Sequence, residues 1–83
     1  MFGAADPELA ISQLEAYHRE GRGERAEVMA SALVDQLISQ KSRDDKTQGL
    51  LVKGLRILAA VLNSRAKYKR ARITIALVHK HRN

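Results

Sequence analysis

The sequence has no cysteine and no tryptophan, and only one proline and three aromatic residues among its 83 positions. Without cysteine, neither a disulfide nor a thiolate metal site can form. Packing alone must therefore hold together a chain that can bury only about 60 % of its unfolded surface. The core has to be built from Leu, Ile, Val and Ala, a composition that favours helices.

Long apolar runs are missing as well, since no segment approaches the roughly 20 residues of a membrane span. Residues 1–5 have neither the basic nor the apolar segment of a signal peptide. We therefore expect a soluble intracellular protein, cytoplasmic or nuclear, with no membrane contact.

Acidic residues are absent from the second half of the chain. Residues 46–83 carry ten bases and no acid, whereas residues 1–45 carry nine acids and five bases, and the net charge is +6. Charge sorted in this way builds a field that selects binding partners. It indicates a binding function and identifies no reaction.

Turn residues and apolar spacing predict a first hairpin of two helices over residues 7–41. Asp6-Pro7-Glu8 combines a capping side chain, a proline suited to the first helical position and an acid at the positive end of the helix. The first helix should end near residue 20, where Gly21-Arg22-Gly23 breaks the pattern. The second helix is predicted over residues 24–41.

A polar loop at residues 42–47, with several possible caps, leads into a second hairpin over residues 48–82. Its first helix, about 46–65, is apolar over most of its circumference and should be the central helix, best covered by a partner. Its second helix, about 67–81, should turn four residues inward: Tyr68, Ala71, Ile75 and Val78. The fold class is therefore all-α, with four helices in two antiparallel helix–turn–helix hairpins.

The two halves match when residue n is laid over residue n+45. Gly21 then falls on Ala66 at the turn, and Ala26 falls on Ala71 early in the second helix of each hairpin. Alanine at that position lets the two helices of a hairpin approach closely.

This pattern resembles the tetratricopeptide repeat (TPR) family. In the second hairpin the small, large, small, aromatic and alanine positions of that family are matched by Ala59, Leu62, Ala66, Tyr68 and Ala71. The spacing of 45 departs from the usual 34 residues, and the first-helix tryptophan and closing proline are missing. Irregular hairpins of this kind look like terminal repeats, for example the amino-terminal domains of the TPR subunits of the anaphase-promoting complex. The resemblance implies a protein-interaction module without catalysis, and an unrelated four-helix bundle is the alternative.

The partner-binding prediction falls on seven basic residues of the second hairpin. These residues are Lys53, Arg56, Arg65, Lys67, Lys69, Arg70 and Arg72. They could form a solvated surface, bind an acidic protein surface, or contact a phosphate backbone. By the 45-residue offset, Lys69 and Arg72 correspond to Glu24 and Glu27, so a second copy of the chain is one possible acidic partner.

Catalytic and metal-binding patterns are weak throughout. Ser64 and Lys67 have the S-x-x-K spacing of penicillin-binding enzymes, but the partner motifs are absent. His79 and His81 are two residues apart and point to nearly opposite sides of a helix. We expect no enzyme, no cofactor and no metal.

The predicted function is a non-catalytic protein–protein interaction or scaffold module that self-associates or joins a larger assembly. The competing prediction is a small basic nucleic-acid-binding protein.

Overall fold

The computed structural model describes residues 6–40 and 42–82, and in these ranges the chain forms four α-helices and no strand. They are α1 (Pro7–Arg19), α2 (Gly23–Ile38), α3 (Asp45–Ser64) and α4 (Tyr68–His81). The prediction of an all-α fold with two helical hairpins is confirmed. Hairpin one consists of α1 and α2, and hairpin two consists of α3 and α4. None of the four helices combines the length and the apolar character that crossing a bilayer requires.

Side-chain caps begin α1 and α3. The Leu9 amide donates to Asp6 Oδ1 at 3.2 Å, and the Thr47 amide donates to Asp44 Oδ1 at 2.7 Å. The hydrogen bonds with Thr47 lower the pKa of Asp44 because they favour its charged form. The predicted start at Asp6 and the predicted cap within residues 42–47 are both confirmed.

Helix α2 is shorter than the sequence predicts, since it ends at Ile38 and not at residue 41, which lies outside the described residues. Arg43 explains the early end. Its Nη1 donates to the carbonyl oxygens of Leu37, Ile38 and Gln40 at 3.1, 3.2 and 3.1 Å. Carbonyl groups at a helix end lack hydrogen-bond donors within the helix, and the Arg43 guanidinium is the donor for these carbonyls.

The two hairpin turns have the same geometry 45 residues apart. Gly21 has φ +77° and Ala66 has φ +60°. The next residue of each turn donates back into the preceding helix: Arg22 to the Tyr17 carbonyl at 2.9 Å, and Lys67 to the Leu62 carbonyl at 2.8 Å. Both turns are therefore Schellman caps with a left-handed residue, although one of those residues is alanine.

Helix α3 is the central helix, as predicted, because it contacts each of the other three. Its largest apolar side chains, including Leu51, Leu55 and Leu62, are fully buried by the rest of this chain. The burial of these side chains needs no second chain, so the apolar circumference of α3 does not by itself call for a partner. Coverage by a partner stays a prediction. Gly54 is also buried, facing Val34 and Ile11, at distances where a Cβ would make ordinary contact.

Two residues of the predicted inward stripe of α4 face outward. Ala71 and Val78 are buried, but Tyr68 is 60 % exposed and Ile75 is 41 % exposed. Among the described helices, only α3 packs closely against the backbone of α4. Helix α4 therefore buries one narrow stripe, with Thr74 in the place expected for Ile75. Tyr68 is the first residue of α4, and its side chain lies outside the part of the helix that α3 covers.

Candidate protein-interaction surfaces

One acidic residue of hairpin one holds three cations of hairpin two. The Glu27 carboxylate lies 2.9 Å from Arg65 Nε, 2.9 Å from Lys67 Nζ and 2.9 Å from Arg70 Nη1. Its side chain is only 13 % exposed. The contact with Arg65 is an ion pair by distance, but its geometry does not make a hydrogen bond. The cluster therefore ties α2 to the turn and the first residues of α4.

Electrostatics at Glu27 follow from these contacts. The hydrogen bond from Lys67 is the main cause that lowers the pKa of Glu27, and Arg70 adds to it against the opposing effect of burial. Glu27 is thus charged at neutral pH and occupied within its own chain. Its oxygens already face three cations of the same chain, so a contact of Glu27 with Lys69 and Arg72 of a second copy would have to displace those partners. That contact stays a prediction.

The structure does not gather the seven predicted basic residues into one site. Arg65, Lys67 and Arg70 bind Glu27, while Lys53 lies 3.7 Å from Glu15 of α1. The other three side chains are exposed, and none of them forms an ion pair with another described residue: Arg56 on α3, and Lys69 and Arg72 on α4. Arg56 lies on a different helix from the other two.

A surface depression between α3 and α4 has a basic rim. We call it the open face, and the residues lining it are Arg56, Ala59, Ala60, Asn63, Ile75, Val78, His79 and Arg82. Ala59 and Val78 are nearly buried and form its floor, whereas Ile75 remains 41 % exposed. None of its residues is acidic.

Three residues of the open face lie 45 positions after residues of hairpin one that face α3. Val34, Ile11 and Leu33 surround Gly54 of α3 at 3.6, 3.7 and 3.8 Å from its Cβ position. Their equivalents are His79, Arg56 and Val78. The face of hairpin one is therefore covered by a helix, and the equivalent face of hairpin two is not.

Sequence reasoning missed this face, although the signal was present in the 45-residue offset. Ile11 and Leu37, both buried, are replaced at equivalent positions by exposed Arg56 and Arg82. A comparison restricted to positions that contact the next helix would have marked hairpin two as a basic, uncovered end. The partner-binding residues were instead predicted from the density of basic residues along the sequence.

No group of three or more His, Cys, Asp or Glu residues suited to a metal ion occurs within residues 6–40 and 42–82. His79 lies on the open face, and the backbone carbonyl of His81 accepts a hydrogen bond from Gln48 Nε2. Comparison with protein-family models, curated proteins and solved structures gave no match to this chain.

Proposed function

We propose that this chain is a non-catalytic protein-interaction module built from two TPR-like hairpins, and that the open face of hairpin two is its binding surface. The observation that carries the proposal is the equivalence of this face with the face of hairpin one on which α3 packs. A surface whose repeat equivalent accepts a helix has the shape to accept another helix.

Further support comes from the matched hairpins. The Schellman turns agree in position and hydrogen bonding, and Ala26 and Ala71, which are equivalent by the 45-residue offset, are both buried. Repeats of this kind bury a continuous core by stacking, and about three or more are usual in a stable array. Two hairpins that present an uncovered face fit a role in a larger assembly.

The chemistry of the face specifies the ligand. Its floor of small and aliphatic side chains fits an apolar helix stripe, and its rim of Arg56, His79 and Arg82 favours carboxylates beside that stripe. The preferred ligand is therefore an acidic amphipathic helix. Charge of one sign on a rim contributes mainly to partner selection and to the rate of association.

A second candidate function is nucleic-acid binding, favoured by Arg56, Lys69 and Arg72, whose charges are not neutralised by an ion pair within the part of the chain that the structure describes. A binding titration with two labelled probes distinguishes the two candidate functions. One probe is a designed helical peptide with an alanine and leucine stripe between glutamates, and the other is a mixed-sequence nucleic-acid duplex.

We expect the peptide to bind and the double variant Arg56→Glu, Arg82→Glu to lose that binding. The matched control Lys69→Glu, Lys80→Glu makes the same charge change on exposed residues of α4 outside the open face. Duplex binding that weakens equally in both variants and falls steeply with salt would favour the nucleic-acid function. Failure of the peptide to bind the parent chain would contradict the proposed function.

A further inference from the structure

Resting on the proposed function, we propose that the occupant of the open face is helix α1 of a second copy of this chain, stacked head to tail. Hairpin one of the incoming copy would pack on hairpin two of the first copy, in the same way that hairpin two packs on hairpin one within a single chain. The open face is the accepting surface in this arrangement, and the outer side of α1 is the inserting surface.

The outer side of α1 is the repeat equivalent of the side that α3 buries. Helix α3 meets hairpin one through residues that include Gly54, Ile57 and Leu58. The residues 45 positions earlier are Leu9, Ser12 and Gln13, and all three are exposed. Leu9 is 54 % exposed, one of the most exposed large apolar side chains in the described part of the chain. Both surfaces needed for stacking are thus present and uncovered on the same molecule.

Charge complementarity favours a second copy as the occupant. Residues 6–20 contain four acids and one arginine, whereas the open face contains two arginines, one histidine and no acid. Asp6 and Glu8 lie at the start of α1, beside Leu9. Asp6 Oδ1 accepts from the Leu9 amide, and Glu8 lies 2.6 Å from Lys46 Nζ in an exposed pair that is weak and leaves the carboxylate accessible. An incoming α1 therefore brings carboxylates toward a basic rim.

One ion pair of the chain predicts a specific contact between copies. Arg65 lies 2.9 Å from Glu27 where α3 packs on hairpin one. The residues at the equivalent positions between two copies are Glu20 of the incoming α1 and Arg72 of hairpin two. The acid replaces the base and the base replaces the acid at the two positions, so the pair between the copies is again attractive. Glu20 is exposed and lies 3.3 Å from Arg22 of its own chain, a weak surface pair that leaves it accessible.

The proposed contact uses two different surfaces, so it does not close on itself in a dimer. Head-to-tail contacts produce rings or open filaments, depending on the rotation between copies. The parent chain should therefore grow beyond a dimer as its concentration rises.

The test is sedimentation equilibrium of the intact chain and of blocked variants over about a hundredfold range of concentration. Leu9→Asp blocks the inserting surface, and Arg56→Glu with Arg82→Glu blocks the accepting surface. Val28→Asp and the pair Lys69→Glu, Lys80→Glu are controls, since these residues are exposed and lie away from both surfaces. Circular dichroism confirms that each variant stays helical.

We expect the parent and control chains to associate beyond a dimer, and each blocked variant alone to associate at least about tenfold more weakly. The two blocked variants, when mixed, should form a one-to-one dimer that grows no further, since each retains one intact surface. A parent chain that stays monomeric, or blocked variants that associate like the parent, would overturn the proposal. If the acidic peptide still binds the open face in that case, the proposed function stands and only the second copy is wrong as occupant.

Discussion

Replacing Glu27 with glutamine should destabilise the domain without altering its surface for partners. Glutamine keeps the shape of the side chain but removes the charge that Arg65, Lys67 and Arg70 surround at 2.9 Å. Three like charges would then remain close together at the joint between α2 and hairpin two. The perturbation therefore tests whether hairpin two's basic residues are structural, as the geometry indicates.

The expected magnitude lies between the values for buried and surface ion pairs. Removing one partner of a buried pair costs about 3–5 kcal/mol, while an exposed pair contributes about 0–1 kcal/mol. Glu27 is 13 % exposed, but its partners are 31 %, 39 % and 53 % exposed and can recover water. We expect a loss of about 2 kcal/mol in the free energy of unfolding, or about 10 °C in Tm for a domain of this size.

The assay is thermal unfolding followed by circular dichroism, with Glu24→Gln as the matched control. Glu24 is exposed on the first turn of the same helix and forms no ion pair with another described residue, so its loss should cost less than about 1 kcal/mol. Equal Tm values for the two variants at neutral pH would refute the structural role of the cluster.

The pH dependence gives a second readout of the same prediction. The pKa of Glu27 is lowered from its ordinary value of 4.5, so the folded state holds the proton less tightly than the unfolded state. The stabilisation is therefore complete above pH 4.5 and is lost as the pH falls through the lower folded value. The stability difference between parent and Glu27→Gln should shrink over that acidic window.

Three further predictions concern the hairpins, each measured by chemical denaturation. Ala66→Gly should raise the free energy of unfolding by about 0.5–1 kcal/mol, because a left-handed backbone costs alanine more than glycine. Gly21→Ala should lower it for the same reason, and a loss with Ala66→Gly or a gain with Gly21→Ala would refute the matched turns. Ala71→Leu should lower the free energy of unfolding by about 1–3 kcal/mol through overpacking, whereas Ala76→Leu on the exposed side of α4 should change it little. Similar losses for the two variants would show that Ala71 does not lie at a close approach of two helices. Gly49→Ala should gain about 1 kcal/mol, since nothing lies within 4 Å of its Cβ position; no gain would mean that its backbone is not in a regular exposed helix.

Local signals in the sequence were sufficient to predict the elements of the fold. Asp6 and Pro7 set the start of α1, and Gly21 with Gly23 set the first turn, because capping and left-handed backbone depend on neighbouring residues. The end of α2 could not be predicted in this way. It depends on Arg43, whose guanidinium reaches back across the loop to the last carbonyls of the helix.

The orientation of α4 and the role of the basic cluster depend on contacts between hairpins. A stripe through Tyr68 and Ile75 is a reasonable helical spacing, but only the position of α3 determines which side of α4 is buried. The same holds for Lys67 and Arg70, which look like free charge in the sequence because Glu27 is 40 and 43 residues away. Long-range pairs of this kind have no local signature.

The two hairpins differ on the faces that the 45-residue offset makes equivalent, and that difference has two physical explanations. Exposed Arg56 and Arg82 stand where buried Ile11 and Leu37 stand in hairpin one, so this face of hairpin two is protected from nonspecific apolar contact. A polar terminal repeat serves solubility in this way. Protection alone does not require a single sign of charge, since mixed charges would also keep water at the surface. Under the proposed function, a basic rim over a floor of Ala59 and Val78 would disfavour basic and purely apolar helices and favour acidic ones. The exposed side of α1 on the same chain carries the opposite, acidic charge. Partner selection would then explain the single sign of the rim, which solubility alone does not require.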